Sequence, residues 1–423
     1  MRRTRMTTLL CVATLIAAST QGTVSASAMD GPGKSRPCVS SPPPRGGPAR
    51  EVLRIAEQVK SELDLESVLL SVTKDGREVI TTALGESMTG VPAEPGMHFR
   101  AGSVAIAYMG TVLLQLVEEG KVSLDDPVSR WLPGLPDADR ITLRMLGSST
   151  TGLADYVTDP GFLAALAAAP FRQWTPEELV GISTALPRWY APGTNWSYSH
   201  ANFVLLGAAL EKITGTRLDV LLKRRIMGPL GLRDTRNSFT PDIQQPVLHA
   251  FTAERGLYEE STFWNPSWTT APGAVVTTHI CDLARSAQAI GSGELLSRSA
   301  FREQLDPGTV GLGGPTATCP ATVCLVNTEA THYGLAVLVL NGWIVQTPSF
   351  SGYAAVQAYL PAERLAIAVA TTKGESTPVG NTAETITNRI AAALAPGHPV
   401  PFSEVPLTRS SRPAGARQVA AVS

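Results

Sequence analysis

Residues 99–121 read FRAGSVAIAYMGTVLLQLVEEGK. From Val104 to Val117 this segment is apolar nearly all round, and it turns polar only at Glu118 and Glu119. A helix with no polar face is expected to be buried on every side. Gly102 and Ser103 stand at its start, where serine is a favoured N-cap. Upstream, Glu51 to Leu63 has helical apolar spacing through Val52, Ile55, Val59 and Leu63. Val68–Thr73 and Glu78–Leu84 read as strands, and Asp75-Gly76 between them predicts a hairpin. Downstream, residues 140–300 read as mostly helical with long loops. Tyr333–Thr347, Tyr353–Leu360 and Leu365–Thr371 then read as three strands, and Asn381–Leu394 as a closing helix after the turn signals Pro378 and Gly380. Strands at both ends with helices between them predict an α+β, two-lobed α/β fold. Its antiparallel sheet is built from both chain ends, flanked by helices, with a mostly helical insertion.

The chain has 423 residues, 43% of them hydrophobic and 17% charged, which supports a large core. Its formal net charge of −1 gives no global field toward nucleic acid or an anionic membrane. Aromatics are 6% with no basic stripe among them, so no nucleic-acid partner is expected. Arg2, Arg3 and Arg5, the apolar Met6–Ala18 stretch and Ala26-Ser27-Ala28 form a signal-peptide pattern. Residues 1–28 are therefore expected to be a signal peptide cleaved near Ala28, giving a secreted product without a stable membrane span. Residues 29–48 read as a Pro/Gly-rich linker, 49–395 as the folded domain, and 396–423 as a disordered tail. In an oxidising compartment Cys319 and Cys324, which flank Pro320, are the first candidates for a disulfide, with two free thiols as the alternative. The cysteines and the six scattered histidines lack the spacing of a zinc site, so no metal and no cofactor is expected.

Several segments together resemble the β-lactamase-related serine hydrolases: class C β-lactamases, D-Ala-D-Ala carboxypeptidases and β-lactamase-like esterases. Phe99-Arg100-Ala101-Gly102-Ser103, Thr111–Lys121 and Leu124-Asp125-Asp126-Pro127-Val128 resemble that family's nucleophile region. Ala191-Pro192-Gly193-Thr194-Asn195-Trp196-Ser197-Tyr198-Ser199 looks like the stretch with its catalytic tyrosine. Gly228–Leu232 and Gly352-Tyr353 through Pro361 match further segments, so the resemblance runs roughly from Ala49 to Leu394. It implies the penicillin-binding-protein/serine β-lactamase fold and acyl transfer on Ser103. The implied substrate is a small molecule, a peptide or an ester, with cell-wall material among the candidates.

The family's three catalytic motifs are altered here. Where it has S-x-x-K, this chain reads Ser103-Val104-Ala105-Ile106, and isoleucine can neither accept a proton nor carry charge. The Y-x-N motif reads Tyr198-Ser199-His200. The Lys/His-Thr-Gly motif reads Gln346-Thr347-Pro348, followed by Ser349. One reading is a rewired hydrolase, an esterase or carboxypeptidase type, with Ser103 as nucleophile and Tyr198 and His200 as the acid/base pair. The backbone N–H groups of Ser103 and Ser349 would form the oxyanion hole, and Gln346, Thr347 and Asn195 would bind substrate. The other reading is a pseudoenzyme, in which Ser103 is only an N-cap, His200 is a polar filler, and the cleft binds a cell-wall ligand or a protein partner. Neither predicts efficient β-lactam hydrolysis, because the lysine is missing and Gln346 is neutral. Asp155-Tyr156, after Thr151-Gly152-Leu153, is expected to shape the cleft wall. Trp189, Tyr190, Trp196, Trp264 and Trp268 are candidates for an apolar acyl pocket or for plain core.

Overall fold

The hairpin predicted around Asp75-Gly76 starts the main sheet. Strands Leu65–Lys74 and Arg77–Met88 are joined by Asp75 and Gly76 at φ 52° and 72°. Positive φ at both turn positions matches the right-handed twist of the flanking strands. The computed structural model describes residues 37–402, and in them Leu65–Lys74 pairs on its other side with Leu365–Lys373, antiparallel, so both chain ends meet inside one sheet. The sheet has nine strands among the described residues and continues through Tyr353–Leu360, Trp343–Gln346, Leu338–Leu340 and Thr331–Tyr333. The signal segment 1–28 and the tail arginines Arg409, Arg412 and Arg417 lie outside the described residues.

Strand periodicity divides the core into two layers. Leu365, Ile367 and Val369 point to one face, where they pack with Val52, Ile55, Ile386 and Ile390 of the helices Gly47–Glu62 and Thr382–Leu394. Ala368 and Ala370 point to the other face and join the cluster that contains the helices Val104–Glu118 and Ile280–Gly291. Small side chains on this second face let the helix Ile280–Gly291 pack closely on Tyr353–Leu360 and Leu365–Lys373.

Two sequence expectations change in the structure. Tyr333–Thr347 is not a single strand: Asn341 and Gly342, at φ 50° and 85°, make a tight turn between Leu338–Leu340 and Trp343–Gln346. Asn-Gly is the dipeptide that favours such a turn. The middle of the chain also adds a three-stranded sheet in the order Phe99–Arg100, Val275–Thr278, Arg236–Ser238, and this sheet carries the start of the Val104–Glu118 helix.

The flanking segments are tied down where they are described. Cys38 is bonded to Cys281 across 243 residues of sequence, and Ser41 N–H donates to the Thr81 carbonyl. At the other end, the Trp343 indole donates to the His398 carbonyl and Val400 is buried. Cys319 and Cys324 form the local disulfide. Among the described residues no helix is long and apolar enough to cross a membrane.

The Val104–Glu118 helix is buried along nearly its whole length, as its composition predicts. At Gly110 it meets the turn of residues 335–336 so closely that a Cβ there would lie 2.5 Å from Ala336 Cβ and 2.9 Å from the Leu335 carbonyl oxygen. Gly110→Ala is therefore expected to lower stability by about 1–3 kcal/mol in urea unfolding, although alanine is the better helix former by ~1 kcal/mol. A neutral or stabilising result would contradict this packing.

Candidate active site

Ser103 lies where strand becomes helix. Phe99–Arg100 pairs with Val275–Thr278, the Ala101 N–H donates to the Val276 carbonyl at 3.0 Å, and the helix begins at Val104. Ser103 already has helical angles, φ −61° and ψ −9°, and its hydroxyl caps no backbone N–H. An N-cap serine normally has extended angles and binds the N–H two or three residues on, so capping does not account for a serine at this position. The Ser103 amide donates to no group among the described residues. It is thus a spare donor at a helix N-terminus, where negative charge is favoured.

Ser103 lines a narrow pocket walled also by Arg100, His200, Trp268, Ser349 and Phe350. The space left between these walls admits about one water. Neither Ile106 nor Pro348 is among the pocket walls. Ile106 is buried in the helix-side core, and the Pro348 carbonyl accepts from Ala355 N–H in the sheet.

His200 is the first residue of the helix His200–Thr214 and is almost fully buried. Its Nδ1 lies 2.9 Å from Oδ2 of Asp155, itself buried. A carboxylate can only accept, so Nδ1 carries a hydrogen, and in the neutral ring the lone pair is on Nε2. Nε2 makes no hydrogen bond among the described residues, and no direct hydrogen bond joins His200 to Ser103. The other Asp155 oxygen accepts from Val157 N–H at 3.3 Å as the cap of the turn Tyr156–Thr158. Sequence reasoning placed Asp155 in the cleft wall; the structure gives it His200 as a partner. One signal was present: a lone acid inside the apolar run Leu153-Ala154-Asp155-Tyr156-Val157 needs a buried partner.

A polar network holds Asp155 and His200 in register. Thr151 Oγ1 donates to Asn202 Oδ1 at 2.6 Å, and Asn202 Nδ2 donates to Ser149 Oγ at 2.8 Å. Ser149 Oγ donates to the Ser197 carbonyl and accepts from Ser199 N–H. The loop before Asp155 is in this way fastened to the segment carrying Tyr198 and His200. The Tyr198 ring meets His200 edge-on, centroids 5.1 Å apart, and its buried hydroxyl has no hydrogen-bond partner among the described residues. Burial, and then the charge of Asp155, push the Tyr198 phenol far up, with the nearby Ser103 hydroxyl opposing them. The phenol therefore stays protonated at neutral pH.

The structure thus brings Ser103, His200 and Ser349 to one pocket, with Tyr198 against His200. It does not bring Gln346, Thr347 or Asn195 there. Gln346 Nε2 donates to the Ala336 carbonyl at 2.8 Å. The Thr347 side chain bonds Glu384, and the Thr347 carbonyl accepts from Asn381. Asn195 clasps the backbone of Gly313 and Gly314. Of the tryptophan candidates Trp268 lines the pocket, Trp196 packs on Tyr333, and Trp189 with Tyr190 walls a separate groove beside Arg140 and Arg188. Away from the pocket, Asp234, His279 and Asp282 bring three potential metal-ligand atoms within 4.8 Å of one another. However, the His279 Nδ1 lone pair accepts the Asp282 N–H, so the cluster works as a helix cap.

Comparison with known proteins agrees with this architecture. The Beta-lactamase family model matches residues 53–392. Esterase EstB of Burkholderia gladioli is 29% identical over 43% of this chain and 49% of its own length. Penicillin-binding protein 4 of Amycolatopsis lactamdurans is 28% identical over 51% of this chain and 55% of its own. The chain spans about half the length of the curated relatives it matches. The structure of a D-stereospecific amidohydrolase from Streptomyces sp. superposes with a TM-score of 0.68 at 24% identity, covering 82% of this chain and 99% of that one, a likeness of fold.

Behind the third altered motif, burial pushes the Glu384 carboxyl up to about 7, against the opposing hydrogen bond from Thr347. An acid raised in the native state holds a proton that the unfolded chain has released. Its contribution to stability is therefore present below the ordinary value of 4.5 and is lost as pH rises through about 7. Thermal melts from pH 4 to 8 are expected to show Glu384→Gln gaining on wild type across that window. Parallel pH curves for the two proteins would contradict it.

Proposed function

The chain belongs to the Beta-lactamase family, and from that premise we propose that it is a serine hydrolase cleaving an ester or amide through an acyl-enzyme on Ser103. In this reading His200 is the general base and Asp155 holds it in the required tautomer. The observation that carries it is the 2.9 Å bond between Asp155 and His200 Nδ1, made in the wall of the pocket that Ser103 also lines. The names of the relatives, an esterase and a penicillin-binding protein, support the same class of chemistry.

The steps follow from the geometry. Ser103 Oγ attacks the substrate carbonyl carbon while its proton passes to His200 Nε2. Catalytic hydrogen bonds are commonly long in an empty site and tighten with substrate, so the missing direct bond between Ser103 and His200 fits this role. Asp155 stabilises the imidazolium that forms. The carbonyl oxygen, now negative, takes the spare Ser103 N–H, with Ser349 N–H as the second donor. His200 then protonates the leaving alcohol or amine, and the acyl group remains on Ser103. Water, giving its proton to His200, attacks the acyl carbonyl; the bond to Ser103 Oγ then breaks, His200 returns the proton to that oxygen, and the acid leaves. Tyr198, kept protonated, serves poorly as a base.

The departures from the family motifs set the range of substrates. With Ile106 in place of a lysine, and Gln346 bonded to the Ala336 carbonyl, efficient β-lactam hydrolysis is not expected. The signal-like residues 1–28 and the two disulfides support export to an oxidising compartment.

The test is labelling of the purified protein with a fluorescent fluorophosphonate. Wild type is expected to label on Ser103, and Ser103→Ala and His200→Ala are expected not to label. Asp155→Asn, which inverts the hydrogen bond and forces the other tautomer, should slow labelling by about 10²–10⁴-fold. If wild type labels no more than Ser103→Ala, the hydrolase reading is wrong, and the cleft is left as a binding site of a pseudoenzyme.

A further inference from the structure

The turn closed by the Cys319–Cys324 disulfide grips both strips of chain that meet in the Asp155–His200 bond. On the Asp155 side the grip runs through residues 188 and 189. The Thr318 hydroxyl lies 2.9 Å from the carbonyl oxygens of both Arg188 and Trp189, and Thr316 Oγ1 donates to the Trp189 carbonyl at 2.7 Å. Residues 188 and 189 in turn hold the loop that leads to Asp155. Arg188 Nη1 donates to the Thr151 carbonyl at 2.7 Å, and the Trp189 N–H donates to the Gly152 carbonyl at 2.9 Å. The two backbones touch here: a Cβ on Gly152 would lie 2.0 Å from the Tyr190 carbonyl oxygen. Asp137 fixes the Arg188 guanidinium with an ion pair of 2.9 Å.

On the His200 side, Asn195 holds the backbone of Gly313 and Gly314, and Ser197 Oγ donates to the Val323 carbonyl at 3.2 Å. Asn195 and Ser197 lead directly into Tyr198 and His200. Thr316 and Thr318 stand just before the disulfide ring and Val323 inside it, so one closed turn touches both strips. Both cysteines are buried, in a small separate core with Ala154, Trp189 and Tyr190. Ala154 is the neighbour of Asp155. A catalytic group works only when held close to its productive geometry. A displacement of about 1 Å, caused far from the chemistry, can cost ~10²-fold in rate.

We propose that Arg188 and the turn closed by Cys319–Cys324 are positioning elements of the active site, which clamp the Asp155 loop against the Tyr198–His200 segment. The proposal rests on the reading of His200 as general base. Arg188 lies in a separate groove and is not a wall of the Ser103 pocket, so it acts through the placement of Asp155 and touches no reacting atom. A folded chain with these two cysteines unpaired is then a slow enzyme.

The experiment follows the rate of fluorophosphonate labelling together with the low-field proton resonance of His200 Nδ1–H, assigned by its loss in His200→Ala. Thermal melts establish that each variant is folded at the assay temperature. Arg188→Gln and the double variant Cys319→Ala/Cys324→Ala are expected to label about 10–10²-fold more slowly, with the resonance weakened by faster exchange. Arg188→Lys should recover part of the rate. With Asp155→Asn already present, the same changes should cost less than about twofold. Wild-type rates with an unchanged resonance overturn the proposal, and so do losses of equal size in the Asp155→Asn background. If those variants do not fold, Thr318→Val, which removes one hydroxyl and keeps the arginine and the disulfide, is read by the same criteria. If wild type does not label, the hydrolase reading has failed separately. The resonance then decides the clamp alone: weakening in the variants supports it, and no change overturns it.

Discussion

The hydrogen bond between Asp155 and His200 determines what the pocket can do. Both side chains are buried, and among the described residues Asp155 has the Val157 N–H as its one other side-chain donor. In such surroundings a carboxylate is stable only while its donors stay in place. The bond therefore fixes the imidazole ring, its tautomer and the direction of its remaining lone pair. The Ser149–Asn202 network then keeps the two strips of chain from sliding past each other.

This constraint gives the altered motifs a common logic. In the proposed hydrolase a lysine one turn after Ser103 would put a second positive charge near the His200 imidazolium, and like charges disfavour each other's charged forms. Isoleucine at position 106 removes that conflict and joins the core. Gln346 and Thr347, which the family pattern would place against substrate, are occupied with the backbone of residue 336 and with the closing helix Thr382–Leu394. The ionisable side chains at the pocket are instead Arg100 and His200, the latter held by Asp155.

Much of the architecture was legible in the sequence because it rests on local signals. An all-round apolar run gave the buried helix, Asp75-Gly76 gave the first hairpin, and strands at both ends gave the shared sheet. The turn at Asn341-Gly342 carries an equally local signal that a long apolar run masked. Ser103, Tyr198 and His200 could be named because they stand in recognisable motif positions. The pairing of Cys38 with Cys281 could not be read, since 243 residues separate them and only the folded sheet brings them together. The partner of Asp155 was hidden for a similar reason: burial is what demands one, and spacing along the chain does not report burial.

The most direct test of the account is a double-mutant cycle on the rate of Ser103 labelling, comparing wild type, Asp155→Asn, His200→Ala and the combined variant. If Asp155 acts only through His200, its replacement costs a large factor in wild type and almost nothing once His200 is alanine. Independent, multiplicative losses would mean that the two residues do not work as a unit, and would contradict the account.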